Sequence, residues 1–198
     1  WFTFISLLSF LLINTPLAFS DILIWNQSFT PKEIESMENT KAIIHTSFGD
    51  ISISFFPQDA PNHVYNFIQL SKIGFYNKTL FHRVVPGFVI QGGDPNSRHP
   101  DTQYHGQGGT GYGYYLKEEF NEKLHIRGTL SMARSSDPDS AGSQFFICVA
   151  DQPTLDGNYT VFGKVVEGID VVDSIVSVPR DSNDNPIERI EMEVEIIP

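Results

Sequence analysis

Residues 81–94 read FHRVVPGFVIQGGD and bring one arginine, one glutamine and several apolar side chains into a single short stretch. Side chains alternate along an extended chain, and this alternation directs Arg83 and Gln91 to the same side. A cation and an amide beside apolar residues suit a site that grips a peptide and not one that cleaves it. The stretch therefore predicts a peptide-binding surface.

The chain has 198 residues, which favours one domain, and its hydrophobic content of 40% is sufficient for a core. It carries 24 acidic and 13 basic residues, which gives a net charge of −11. Nucleic-acid binding needs a basic surface, so this balance predicts no nucleic-acid partner. The acidic residues are scattered along the chain, which indicates a solvated surface, and we expect a monomer.

The first twenty residues differ from the rest of the chain because they contain no charged side chain. Residues 2–13 are mostly apolar, Pro16 ends the run, and Ala18 and Ser20 are the small residues that a signal peptidase recognises. This pattern predicts a signal peptide over residues 1–20, cleaved near Ser20-Asp21, and a secreted, periplasmic or cell-surface protein. An uncleaved anchor or a buried helix is the alternative, although the apolar run is short for a membrane span.

The segment after residue 20 changes character near Lys41. Residues 21–40 are mixed in composition, and we interpret them as an N-terminal arm. Residues 41–47 and 50–56 predict a β-hairpin. Asp59 then predicts the N-cap of a helix, because a proline follows in its first turn.

The rest of the chain has the pattern of short strands. Strand-like stretches occur at residues 80–84, 88–91, 128–133, 144–149 and 161–165. Residues 169–176 predict a second short helix, and the alternation of apolar and acidic residues over 190–196 predicts a half-buried closing strand. Because no βαβ rhythm is present, the pattern favours an antiparallel barrel.

Two further motifs accompany the opening stretch. They are SQFFIC at residues 143–148, and LDG at 155–157 followed by VFG at 161–163. With residues 81–94, these motifs resemble the cyclophilin family of peptidyl-prolyl cis-trans isomerases, in the family's order and spacing, from about Lys41 to Pro198. The resemblance implies a mainly β domain over residues 41–198, a closed eight-stranded antiparallel β-barrel capped by two α-helices.

The same resemblance implies the site. Its catalytic residues would be Arg83, Phe88 and Gln91, and its substrate-binding residues would be Val89, Ala133, Arg134, Gln144, Phe146, Thr154, Leu155 and Tyr159. The apolar members would form the proline pocket, with Tyr159 on its wall, and Gln91 would hold a substrate carbonyl and steady Arg83. Phe146 follows another phenylalanine on one strand, so one ring would face the core and the other the groove.

Three positions depart from the pattern common in the family. Thr154 stands where many members carry tryptophan, Tyr159 where many carry histidine, and Val89 where methionine is common. The catalytic residues remain, so the departures leave isomerase activity as the expectation. They predict weakened cyclosporin binding, because the missing tryptophan donates a hydrogen bond to that ligand in the family.

The reaction implied by the resemblance needs no cofactor. Rotation about an X–Pro bond is opposed by amide resonance, with a barrier of ~20 kcal/mol, and no bond is made or broken. We therefore expect proline-containing peptides and unfolded protein clients as partners, with protein folding outside the cytoplasm as the role. The alternative is a non-enzymatic proline-peptide-binding chaperone or scaffold module on the same fold.

Other motifs in the chain carry less. No histidine pair has the spacing of a zinc site, so we predict no metal. Residues 106–111 fit a dinucleotide pattern by chance and are interpreted as a loop that rims the groove. Cys148 lies in an apolar run and is expected to be a buried structural thiol. His82 is interpreted as a core histidine with satisfied hydrogen bonds, and a direct catalytic role is its alternative.

Overall fold

A computed structural model describes residues 23–198. The predicted signal peptide, residues 1–20, lies outside the described residues. Within residues 23–198, no helix has both the length and the apolar character that crossing a membrane requires.

The described chain is mainly β, as the sequence predicts, and contains eleven strands and three α-helices. The strands are β1 (Leu23–Trp25), β2 (Lys41–Thr46), β3 (Gly49–Phe55), β4 (Thr79–Leu80), β5 (Arg83–Val85), β6 (Val89–Gly92), β7 (Tyr114–Leu116), β8 (Thr129–Met132), β9 (Phe145–Cys148), β10 (Val161–Glu167) and β11 (Glu191–Ile197). The helices are α1 (Pro31–Glu38), α2 (Pro61–Lys72) and α3 (Ile169–Val176). The two helices expected for the domain over residues 41–198 are α2 and α3, and α1 lies in the predicted N-terminal arm.

Nine strands form one antiparallel sheet, in the order β4-β11-β2-β3-β10-β8-β9-β6-β5. The expectation of a closed eight-stranded barrel is wrong in this respect, because the curled sheet is a half-barrel whose edge strands β4 and β5 do not pair. The reason is local: the chain runs on from β4 to β5 without reversing, because the Phe81 N–H donates to the Ile190 carbonyl at 3.0 Å and the Val84 N–H to the Asp184 carbonyl at 2.9 Å. A single bridge from Leu80 to Asp94 lies at this edge.

The predicted hairpin and closing strand are confirmed. β2 and β3 pair from Lys41 with Ser54 to Thr46 with Gly49, and the turn is made by residues 47 and 48. Gly49 has φ +123°, a backbone conformation that residues with a side chain rarely adopt. β11 pairs with β2 and buries its apolar side chains at alternate positions, as the alternation over 190–196 indicates.

Helix α2 begins differently from the prediction. Its N-cap is Ala60 and not Asp59, and the cap side chain makes no hydrogen bond. The Glu119 carboxylate takes over this task, since it accepts hydrogen bonds from the backbone N–H groups of Asn62 and His63, both at 3.0 Å. A carboxylate also suits the positive end of the helix dipole. A distant loop therefore fixes the start of the helix.

The core lies on the concave side of the sheet, against α2. It includes fully buried rings from the helix, its following loop and two strands: Phe67, Tyr76, Phe145 and Phe162. These rings meet at tilted or edge-to-face angles, with centroids 5.0–5.8 Å apart. Such contacts add to the free energy of apolar burial. On the other face of β9, a smaller cluster forms around Phe146.

Candidate active site

Arg83 and Gln91 are directly paired across β5 and β6. The Arg83 Nη1 donates a hydrogen bond to the Gln91 Oε1 at 3.3 Å. The turn between the strands carries Phe88, and its Gly87 has φ +72°, which glycine adopts without strain. The Arg83 guanidinium carbon lies 5.8 Å from the centroid of the Phe88 ring. The hairpin thus places a cation, an amide and an aromatic ring side by side.

An apolar pocket of about 190 Å³ opens beside this pair. Its lining brings together nine of the eleven sequence-predicted site residues: Arg83, Phe88, Val89, Gln91, Ala133, Arg134, Phe146, Leu155 and Tyr159. Val89 and Phe146 form the buried floor, backed by Cys148 from the same strand as Phe146. Burial raises the pKa of the Cys148 thiol to about 12, so this thiol is an inert packing residue, as expected.

Two predicted residues lie outside the apolar pocket. Gln144 lines a neighbouring cavity of about 220 Å³, which we call the glycine-loop cavity because Gly106, Gly108 and Gly109 border it. Thr154 is exposed in a short 3-10 turn and lines neither space. The loop over residues 106–111 thus rims the groove, as the sequence analysis expects, whereas Thr154 is not brought to it.

A chain of hydrogen bonds runs from Arg83 to the glycine loop. The Gln91 amide accepts from Arg83 and donates through Nε2 to Gln144 Oε1 at 3.0 Å. Gln144 in turn donates to the carbonyl oxygen of Gly108 at 2.7 Å. Each amide has one acceptor and one donor in use, so the orientation of both amides is fixed by the arginine at one end and a backbone carbonyl at the other.

The wall of the apolar pocket is held by Arg134, in a way that the sequence did not reveal. Its guanidinium carbon lies 4.6 Å from the centroid of the Tyr159 ring. Its Nε and Nη2 donate to the carbonyl oxygen of Asn158 at 3.0 and 2.7 Å. Arg134 therefore ties the loop before β10 to the end of β8. The Ala133 N–H, by contrast, already donates to the Gln144 carbonyl at 2.9 Å.

The floor of the pocket rests on His125, which sequence reasoning also missed. The imidazole stacks on Phe146 with an interplanar angle of 20° and centroids 5.9 Å apart. Its Nδ1 lies 3.0 Å from Asp156 Oδ1, and its Nε2 lies 3.0 Å from the Ser131 Oγ. Burial lowers the pKa of His125, so the ring is neutral near pH 7. No periodic or motif signal marks this residue.

His82 departs from its prediction. The side chain is buried, with 4% exposed, but neither ring nitrogen finds a hydrogen-bond partner within residues 23–198. Burial lowers the pKa of His82 to about 4, so its imidazole is neutral at physiological pH. The prediction that His82 is buried is therefore confirmed, and the prediction that its hydrogen bonds are satisfied is wrong. The residue lies under Gly106 and beside His105, with its ring nitrogens unpaired within residues 23–198.

Comparison with known proteins defines the class. The sequence profile of the family described as "Cyclophilin type peptidyl-prolyl cis-trans isomerase/CLD" matches residues 41–195. The chain is 46% identical over 147 residues to a peptidyl-prolyl cis-trans isomerase of Synechococcus elongatus, covering 70% of this chain and 94% of that protein. It is 43% identical over 151 residues to one of Helicobacter pylori, covering 75% and 88%.

Solved structures agree with the sequence relatives. A crystal structure of a Cryptosporidium parvum cyclophilin type peptidyl-prolyl cis-trans isomerase superposes with a TM-score of 0.73 at 35% identity, covering 80% of this chain and 98% of that one. The same protein crystallised in the presence of the dipeptide Ala-Pro gives a TM-score of 0.71 at 37% identity, covering 79% and 97%. The chain belongs to the cyclophilin-type peptidyl-prolyl cis-trans isomerases. It is an isomerase of X–Pro peptide bonds.

Proposed function

We propose that Arg83 is the catalytic centre of this isomerase and that the apolar pocket holds the substrate proline ring. The observation that carries the proposal is the position of the Arg83 guanidinium, at the rim of the pocket and hydrogen-bonded to Gln91. A guanidinium is always charged and presents several rigid donors. A proline ring in the pocket would place its nitrogen beside these donors.

Arg83 would act on the twisted state of the bond. In the planar amide the prolyl nitrogen shares its lone pair with the carbonyl, so it is a poor acceptor. When the bond rotates, resonance is lost and the nitrogen gains a lone pair that Arg83 can bind. A hydrogen bond that is stronger in the transition state than in the ground state lowers the barrier, by tenfold in rate for each ~1.4 kcal/mol.

The remaining residues would hold the parts that do not rotate. Phe88, Val89 and Phe146 present apolar surface to the ring, and Leu155 and Tyr159 close the far wall. Gln91 would hold a substrate carbonyl while it fixes Arg83. Ala133 and Arg134 would contact the substrate backbone along the edge between the two cavities.

We also propose that the enzyme acts as a monomer, and that its substrates are proline-containing peptides and unfolded clients. Cyclosporin would bind weakly, since Thr154 offers no indole N–H.

A steady-state isomerase assay on residues 21–198 tests the role of Arg83. We expect Arg83→Ala to lower kcat/KM by about 100-fold, the size of effect seen when a transition-state donor is removed. Arg127→Ala is the matched control: Arg127 pairs with Asp173 at 2.7 Å, outside the apolar pocket. Activity of Arg83→Ala equal to that of the control would exclude the assignment.

We further propose that the protein works outside the cytoplasm. The uncharged, apolar composition of residues 1–20 and the small residues Ala18 and Ser20 support this location. Expression of the whole chain in a secreting host should yield a product whose N-terminal sequencing begins at Asp21. An intact N-terminus on a product retained in the cytoplasm would contradict the proposal.

A further inference from the structure

A third space adjoins the catalytic pair, on the side away from the proline wall. This polar cleft has a volume of about 380 Å³. Arg83 and Gln91 line both the cleft and the apolar pocket, so a peptide with its proline in the pocket lies within reach of the cleft. The other side chains that line the cleft come from three segments: His82, Thr102, Gln103, His105, Asn183 and Asn185.

The lining side chains are polar, and part of their hydrogen-bonding capacity is unused. His82 forms the buried floor under Gly106, with both ring nitrogens unpaired within residues 23–198. Its neutral imidazole offers one donor and one acceptor. The His105 Nε2 lies 2.9 Å from the His99 carbonyl oxygen and donates to it, so the Nδ1 of a ring with one proton accepts from the Asn185 amide group 3.0 Å away, which leaves the amide oxygen of Asn185 able to accept. These groups suit a ligand that both donates and accepts hydrogen bonds.

The charges around the cleft disfavour ionic ligands. Three carboxylates stand in the loops at its rim, and each is occupied by its own loop: Asp101 accepts from the Gln103 backbone at 3.0 Å, Asp181 from the Asn183 backbone at 2.8 Å, and Asp184 from Arg180 at 3.1 Å. Their negative charge opposes the attraction of the Arg83 guanidinium for an acidic side chain. The lining itself contains no carboxylate to pair with a basic side chain, which the Arg83 guanidinium would repel.

We propose that the polar cleft is a second substrate subsite, which selects peptides carrying an uncharged amide or hydroxyl side chain near the X–Pro bond. This inference rests on the proposed function of the apolar pocket. An apolar side chain would leave the polar groups of the lining without partners, and each such loss is unfavourable. The apolar pocket contacts only the proline and does not distinguish between its neighbours. The cleft would therefore add a preference among clients that differ in the residues beside the proline.

A peptide series tests the subsite. Each peptide has one proline in an alanine background, and one flanking position at a time is changed to Asn, Leu, Asp or Lys. We expect kcat/KM at one flanking position to be about three- to tenfold higher for Asn than for the other three, the value of about one hydrogen bond. The double variant Thr102→Val/Asn183→Leu should lose this preference and keep its activity on the all-alanine peptide.

Ser182→Ala is the control, because Ser182 lies in the same loop as Asn183 but does not line the cleft. It should keep the preference of the wild-type protein. A uniform kcat/KM across the series, or a preference that survives in the double variant, would overturn the subsite while leaving the isomerase assignment intact. Failure of the wild-type protein to turn over the all-alanine peptide would instead overturn the proposed function.

Discussion

Phe145 and Phe146 are neighbours on β9, yet they belong to two different regions of the molecule. Phe145 is fully buried on the concave face, where its ring packs against Phe67 and Tyr76 at near-perpendicular angles of 79° and 83°. Phe146 is 5% exposed on the convex face, where it forms the floor of the apolar pocket. The same residue type therefore has a structural task on one face and a binding task on the other.

The difference lies in what surrounds each ring. The Phe145 ring meets other aromatic rings of the core, and its position is set by close packing. The Phe146 ring is stacked on His125, which is itself fixed by Asp156 and Ser131. The Phe145 ring is thus fixed by close packing, whereas the Phe146 ring is fixed by stacking on a histidine that directional hydrogen bonds hold in place. The second arrangement can keep a ring in place while leaving one side open to substrate.

Removal of the core ring should have the largest effect. We expect Phe145→Ala to lower the free energy of unfolding by about 3–5 kcal/mol, because the cavity left among packed rings cannot collapse. Chemical denaturation followed by far-ultraviolet circular dichroism measures this loss. A change below about 1 kcal/mol would mean that the concave face is not the stabilising core.

Removal of the Phe146 ring from the pocket floor should affect activity more than stability. Phe146→Ala is expected to lower kcat/KM by about 10- to 100-fold, since the proline would no longer be held in position beside Arg83. The loss in the free energy of unfolding should be smaller than for Phe145→Ala, because the ring borders an open pocket. The paired variants form matched controls. An equal loss of stability with unchanged kcat/KM would remove the distinction between the faces.

The buried residue His82 should make the stability of the protein depend on pH. Burial holds the pKa of His82 at about 4, below the unfolded value of 6.5, so the unfolded state binds the proton more readily. Its contribution to stability is therefore lost as pH falls, and we expect a decrease of about 2 kcal/mol in the free energy of unfolding between pH 7 and pH 5. In His82→Phe this part of the decrease should vanish. An unchanged pH dependence would contradict the burial of a neutral imidazole.

The smallest expected effect comes from the end of the amide chain. Gln144→Leu removes the hydrogen bond to Gln91 and leaves the Gly108 carbonyl without its donor. We expect kcat/KM to fall about three- to tenfold, through looser positioning of Arg83. Gln144→Glu keeps the acceptor for Gln91 but removes the donor to Gly108, so it should retain more activity than Gln144→Leu. If both variants were as active as the wild-type protein, the hydrogen-bonded amides of Gln91 and Gln144 would not position Arg83.

Much of the site could be predicted from the sequence because its central part is local. Arg83, Phe88 and Gln91 lie on one hairpin: the register of β5 and β6 pairs Arg83 with Gln91, and the short turn between the strands holds Phe88 nearby. The position of Phe146 opposite Phe145 follows from the alternation of side chains along a strand. Motifs of the family then indicate which distant segments complete the pocket.

The parts that could not be predicted depend on contacts between distant segments. Glu119 caps helix α2 from 56 residues away, and the Arg134 guanidinium binds a carbonyl 24 residues away. His125 is fixed by Asp156, 31 residues further along the chain. Nothing in the local sequence around these residues identifies their partners. Closure of the sheet was likewise misjudged, because it depends on whether two short edge strands meet.

The central claim is that Arg83 accelerates rotation while the apolar pocket binds the proline. The most direct measurement is the cis/trans exchange rate of a proline peptide bound to the protein, obtained by NMR exchange spectroscopy on wild type and Arg83→Ala. We predict that Arg83→Ala still binds the peptide, with a Kd close to that of the wild-type protein, but exchanges its isomers about 100-fold more slowly. Bound-state exchange as fast as in the wild-type protein would contradict the account.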